Sequence, residues 1–172
     1  SVDRDIVPMA RNVLSSESFN LFAATLAETI KNGNKIVFSG CGSTGRLSIM
    51  LESSWRSFWN KQDPSGKRSN QVASIMTGGD YALVKAVEFF EDYLEFGRQQ
   101  VRETCMAPGD VLVAITEGGE TSSVLGTVDQ ALNNGCDVFL LFNNPADILC
   151  RAIERSRNAI EDPRVTVLDL SC

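Results

Sequence analysis

Apolar positions along the chain follow two rhythms that alternate. From Phe19, the residues Phe22, Ala23, Leu26, Ala27 and Ile30 recur at helical spacing, with Ser15, Ser16 or Ser18 available as N-cap and Asn32-Gly33 as a stop. Residues 1–33 therefore predict an N-terminal helical segment. Residues 35–39 (KIVFS) then form a short β-rich run that breaks into the glycine loop GCGSTG at 40–45, after which 46–59 continues as a helix. A polar stretch with Pro64, Ser65 and Gly66 separates it from the next apolar run at 72–76.

The same alternation continues to the end of the chain. Thr77-Gly78-Gly79-Asp80 closes the second strand, and Asp80 is placed to cap a helix over 80–92 carrying Leu83, Val84, Val87 and Phe90. A more polar helix follows to about Met106. Residues 110–116 (DVLVAIT) and 137–142 (DVFLLF) are near-continuous apolar runs, the pattern of strands covered on both faces, each followed by a helical stretch, to 133 and over 146–157. A final strand is expected at 165–170. Five strands alternating with helices predict an α/β protein: a three-layer, flavodoxin-like arrangement with a five-stranded parallel sheet and helices on both faces.

Composition narrows the chemistry. The 172 residues are 43% hydrophobic and 22% charged, ordinary values for one globular domain spanning 1–172. Sixteen Lys plus Arg against 22 Asp plus Glu leave a formal charge of -6 with no basic stripe, which disfavours nucleic acid as a partner. Histidine is absent, so Ser-His-Asp and Cys-His nucleophile activation and HExxH zinc sites are excluded. Acid and base roles fall to carboxylates, Lys, Tyr or Cys. The five cysteines (41, 105, 136, 150 and 172) are widely spaced and never form CxxC, which argues against a metal site or a secreted disulfide framework and for a reducing, cytoplasmic compartment. The longest apolar runs are about five residues, against roughly 20 needed to cross a bilayer, so no membrane association is expected.

Two loops carry candidate chemistry. Gly40-x-Gly42-x-x-Gly45 lies between a strand and a helix, where glycines let backbone amides approach phosphate oxygens at a positive helix end. That spacing alone also fits a nucleotide-dependent oxidoreductase, but the acidic residue such a site wants on the second strand is lacking; Asp63 has the separation and lies in the polar loop. Ser43 and Thr44 add two hydroxyls, which suits a terminal phosphate better than a buried pyrophosphate, and the plain alternative is a tight packing turn. The second loop, TEGGETSS at 116–123, occupies the equivalent place two strands later. In an open α/β sheet, loops at the carboxyl ends of strands that flank the reversal of strand order form the ligand crevice. Glu117 and Glu120 repel a phosphate and should face a sugar hydroxyl, a cation or solvent. On the 80–92 helix, about 100° per residue puts Glu91 between Val84 and Val87 on the apolar side, where a carboxylate is partly desolvated, the condition for a general acid or for holding ligand hydroxyls. Trp55, Phe58 and Trp59 read as core or interface filling rather than a base-stacking platform.

These residues resemble a known group, the phosphosugar-binding domains of the sugar isomerase (SIS) type, in the branch holding N-acetylmuramic acid 6-phosphate etherase and glucokinase regulatory protein. The resemblance rests on VFSGCGSTGRLSIM at 37–50, IMTGGDYAL followed by a Glu-Asp pair at 75–92, and AITEGG-x-TS at 114–122, in order over most of the chain. It implies a phosphorylated hexose or amino sugar in the cleft, no cofactor and no metal, and assembly into a homodimer or paired SIS domains. It also implies a protein partner such as a sugar kinase. Residue by residue, Gly42, Ser43, Thr44 and Gly45 match the phosphate loop; Thr116, Gly118 and Thr121 match the second loop; Glu88 and Glu91 match sugar-contacting acidic positions, with Glu91 the candidate acid or base.

Departures shape the expected function. The etherases carry a catalytic glutamate on the helix after the first loop, and the matching position here holds Ser54, with Glu52 about 200° around the helix. Gly118 stands where many relatives have a serine. The chain stops at Ser171-Cys172, before the serine-rich segment the family places next, which implies an excised, C-terminally truncated domain. The reading is thus a sugar-phosphate-binding domain of a regulatory or sensor protein. The alternative is a lyase of the etherase type or a sugar-phosphate isomerase using Glu91, aided by Glu52.

Overall fold

The computed structural model describes residues 2–85 and 89–170. Two helices open the chain, α1 (Val2–Leu14) and α2 (Glu17–Lys31); the hydroxyl of Ser16 accepts from the Phe19 amide at 3.2 Å and so caps α2. Then follow β1 (Ile36–Gly40), α3 (Gly42–Gln62), β2 (Val72–Met76), α4 (Tyr81–Val84), α5 (Leu94–Thr104) and β3 (Val111–Ile115). The chain continues with α6 (Ser122–Asn133), β4 (Asp137–Phe142), α7 (Ala146–Ala152), α8 (Glu154–Ile160) and β5 (Val165–Asp169).

The five strands pair in the order β2-β1-β3-β4-β5, and every pairing is parallel. Val37, Leu112, Ala114, Leu140 and Phe142 on one face pack under α5, α6 and the α7–α8 pair. Ile36, Val111, Val113, Phe139 and Leu168 on the other meet α2 and Trp55 of α3. Burial on both faces explains the unbroken apolar runs of β3 and β4, since neither side of such a strand meets water. The α/β class, the five strands and their parallel arrangement are as the sequence predicts.

Three helices depart from expectation. The stretch 80–92 is not one helix: α4 stops at Val84, Phe89 takes the left-handed conformation with φ +78, and Phe90–Asp92 forms a single 3-10 turn before α5 starts. The apolar stripe that predicted a continuous helix finds no surface to bury it, for Leu83 and Val84 are 47% and 80% exposed. The 146–157 helix is likewise divided, at the extended residue Ile153, because α8 turns to place Arg155 and Ser156 on the second glycine loop. The third, α3, begins at Gly42, so the first glycine loop is itself the opening turn of a helix.

Packing between α5 and α6 sets the position of the whole 90–104 segment. A Cβ on Gly97 would lie 1.8 Å from the Ser123 carbonyl oxygen, and one on Gly126 would lie 2.0 Å from that of Leu94, so the two backbones touch directly. Gly97→Ala is expected to force the helices apart and cost about 3 kcal/mol, the upper end of the overpacking range, read as a lower urea midpoint. An unchanged midpoint would show that α5 is not held this way.

Candidate functional site

The order of the strands reverses between β1 and β3: the chain passes from β1 outward to β2, then crosses back to pair β3 on the other side of β1. Loops leaving the carboxyl ends of these two neighbours must diverge to opposite faces, and the gap between them is a crevice. A cleft of about 260 Å³ lies there, lined by Cys41, Gly42, Ser43 and Thr44 of the first loop and by Ile115, Thr116, Glu117, Gly118, Glu120 and Thr121 of the second, with Glu91.

On the β1 side, α3 starts immediately after the strand because the chain turns without side-chain bulk. A Cβ on Gly45 would stand 2.8 Å from the Gly40 carbonyl oxygen and 2.9 Å from Met76 Cγ, so only glycine lets the first turn sit on the sheet. Gly42 takes φ +54, left-handed, ahead of helical Ser43, an alternation that makes successive amides converge into a concave nest. The Gly45 N–H donates to the Cys41 carbonyl at 3.1 Å, the first bond of the helical ladder, so the amides of Gly42, Ser43 and Thr44 lie before it. Cys41 stands at the N-cap, and its side chain makes no capping hydrogen bond.

The β3 side is built differently. Thr116 is 3% exposed, and its Oγ1 lies 3.0 Å from Thr121 Oγ1, a hydroxyl pair that closes the loop across its base. Three of the loop's carbonyl oxygens are held by side chains from later in the chain: Gly118 by Asn144 Nδ2 at 3.1 Å, Gly119 by Ser156 Oγ at 2.8 Å and Glu120 by Arg155 Nε at 2.8 Å. The Glu117 carbonyl accepts from the Asn143 amide at 3.0 Å. Behind both loops, Thr77 Oγ1 and Ser123 Oγ form a buried pair at 2.8 Å that ties the end of β2 to the start of α6.

Glu91 reaches the cleft from the 3-10 turn and not from a continuous 80–92 helix, and it is exposed; Val87 lies outside the described residues. The premise of desolvation on an apolar helix face therefore fails, while its place beside the glycine loop stands. Its Oε2 accepts from the Cys41 thiol at 3.3 Å. Burial and the adjoining Glu91 carboxylate push that thiol above its ordinary range, partly opposed by the Thr77 hydroxyl, so it stays protonated as a donor.

Gly42, Ser43, Thr44, Thr116, Gly118, Thr121 and Glu91 are thus brought together around one cleft, with Gly45 packed behind it. Glu88 lies outside the described residues. Glu52 is not in the cleft: it accepts from Ser74 Oγ at 2.5 Å, pairs with Arg56 at 2.8 Å and lines a separate cavity under β2. It therefore does not join Glu91 as a second acid or base. Asp63, the ribose-holding candidate of a dinucleotide site, sits at the far end of the 21-residue α3, about 30 Å from the glycine loop, and its carboxylate accepts from Ser65 and Arg68. Sequence reasoning missed Asn143, Asn144, Arg155 and Ser156 as supports of the second loop; Asn-Asn-Pro read only as a helix start.

Among the described residues, no group of three or more Cys, Asp or Glu is arranged to hold a metal ion, and no helix is long and apolar enough to cross a membrane.

Sheet order, switch-point cleft and paired glycine loops place the protein among SIS-type α/β proteins. The chain belongs to the family of glucokinase regulatory protein N-terminal SIS domains, whose model matches residues 20–132. It is 31% identical over 140 residues to the N-acetylmuramic acid 6-phosphate etherase of Aeromonas hydrophila, covering 81% of this chain and 45% of that protein. The etherase of Clostridium acetobutylicum is 29% identical over the same length, with 81% and 44% covered. The chain thus spans less than half the length of these curated relatives. Among solved structures, the phosphoheptose isomerases of Francisella tularensis and Neisseria gonorrhoeae superpose with TM-scores of 0.70 and 0.66 at 17% and 16% identity. Each superposition covers 99% of this chain, with 83% of the Francisella chain and 84% of the Neisseria chain.

Replacing Thr77 by valine removes one partner of a buried hydroxyl pair. Thr77→Val, which keeps the methyl and removes the hydroxyl, is expected to cost about 1–3 kcal/mol in urea unfolding, with Thr77→Ser near wild type; a loss confined to Thr77→Ser would assign the effect to the methyl group instead.

Proposed function

We propose that the chain is a sugar-phosphate-binding domain that serves as a regulatory or sensor module, with the phosphate on the opening turn of α3 and the sugar reaching across to the second loop. The observation that carries this reading is the concave nest at Gly42, Ser43 and Thr44, left without a side-chain cap and opening into the cleft. Amides at a helix start bring the positive end of the helix dipole to an anion without a cationic side chain. None is supplied here, since no Lys or Arg is among the described residues lining the cleft.

The charge layout then restricts what else the ligand carries. Glu91, Glu117 and Glu120 line the cleft together with the nest. A second anionic group near them would be repelled, whereas hydroxyls would donate to them. A ligand with one phosphate and a run of hydroxyls, such as a hexose phosphate or amino sugar phosphate, matches both ends.

Binding without turnover is supported by Ser54, an exposed residue of α3 at the place where the resemblance puts the etherases' catalytic glutamate. A regulatory module acts through a partner surface, and a sugar kinase is the partner the family suggests. The exposed Leu47, Met50 and Phe58 of α3 support association with a second copy or a paired SIS domain.

Isothermal titration with fructose 6-phosphate tests the assignment of the nest. Replacing Ser43 and Thr44 together by alanine is expected to weaken binding by about 1–3 kcal/mol while leaving the circular dichroism spectrum unchanged. Unaltered affinity would remove the two hydroxyls as phosphate donors, and Gly42→Pro, which deletes one amide of the nest, is expected to weaken binding further; affinity unaltered there too would remove this turn as the phosphate site.

A second reading is favoured by Glu91 lying in the cleft and by the similarity to the etherases: a lyase or isomerase using Glu91 as acid or base. It predicts D-lactate release from N-acetylmuramic acid 6-phosphate that Glu91→Gln abolishes. Absence of lactate with the wild-type chain under conditions where the sugar phosphate binds would leave the regulatory reading in place.

A further inference from the structure

The N-cap of α3 is the place where Ser, Thr, Asp or Asn ordinarily turns back to accept from the second or third amide of the helix. Such a cap would fill the nest with the protein's own oxygen. Cys41 occupies that position and makes no such cap; its Sγ faces the adjoining Gly42 amide and donates to Glu91 Oε2 at 3.3 Å. One side chain thus leaves the next amides of the turn without a cap and touches the carboxylate on the facing turn. The turn itself is anchored from behind, because the Phe90 ring packs on Phe96 of α5 with centroids 4.7 Å apart. Among the described residues, the Cys41 thiol is the one side-chain hydrogen-bond donor recorded on the Glu91 carboxylate.

We propose that Cys41 is a positioning residue: its thiol fixes Glu91 over the cleft so that the carboxylate meets the sugar hydroxyls while the phosphate occupies the nest. The inference rests on the sugar-phosphate reading above and adds what aims its acidic wall. Thiol protonation is consistent with this, since burial and the carboxylate both favour the neutral S–H.

Two measurements test it. Titrations of wild type, Cys41→Ala, Glu91→Gln and the double variant with fructose 6-phosphate and with inorganic phosphate separate the sugar from the anion. Cys41→Ala is expected to weaken fructose 6-phosphate about 3- to 10-fold and to leave inorganic phosphate unchanged, with no further loss when added to Glu91→Gln. Equal losses for both ligands, or losses that multiply in the double variant, would overturn the proposal. The second measurement needs no ligand: the infrared S–H band obtained by subtracting the Cys41→Ala spectrum is expected to shift on Glu91→Gln, and an unmoved band would also overturn it. If the wild type binds no sugar phosphate while that band shifts, the sugar-phosphate reading fails and takes the proposed role with it, although the thiol–carboxylate contact itself stands.

Discussion

The cleft depends on the seating of α3 on the end of β1, where Gly45 lies against the Gly40 carbonyl and Met76 with no space for a methyl group. Because helix and strand meet there without a spacer, the first turn of α3 emerges at the sheet edge of the cleft rather than above it. Pairing of β1 with both β2 and β3 then places the opening beside the second loop. Moving the helix outward by the thickness of one side chain would carry its amides away from Thr116 and Thr121.

The two walls of the cleft are stabilised in different currencies. The α3 wall is backbone, and its character follows from chain direction and helix polarity. The second-loop wall depends on side chains that arrive from α8 and from the turn before α7 and take up its carbonyl oxygens. Satisfying those acceptors internally leaves the loop little reason to rearrange, since each alternative conformation would strand a polar group. Glu91 belongs to neither scheme, standing on a turn fixed by an aromatic contact and reaching the cleft by a single side chain.

The strands could be read from the residues because a strand buried on both faces writes its burial directly as an unbroken apolar run, and the glycine loops because their spacing is dictated by close approach. The break between Val84 and Leu94 could not, since Leu83, Val84 and Phe90 keep helical spacing whether or not a partner surface receives them. What the pattern lacks is a surface to receive Leu83 and Val84, both exposed, a fact of tertiary packing with no local trace. The same holds for the loop supports: Asn144, Arg155 and Ser156 lie 26, 35 and 37 residues from the carbonyls they hold, and nothing local in an asparagine or a serine announces a distant acceptor. Of the two grounds for Glu91, the apolar helix face does not exist, while the match to an acidic position of the resembling family does not depend on it; the residue reaches the cleft from the 3-10 turn.

The clamped carbonyls of the second loop have an entropic consequence. A wall whose polar groups are already engaged does not have to be frozen when a small molecule arrives, so the ordering penalty of binding falls chiefly on the ligand's own rotors. Discrimination among molecules that share the same anionic head then rests on how their remaining stereocentres meet the carboxylate opposite, which makes that single side chain the place where selectivity can change while the scaffold stays as it is.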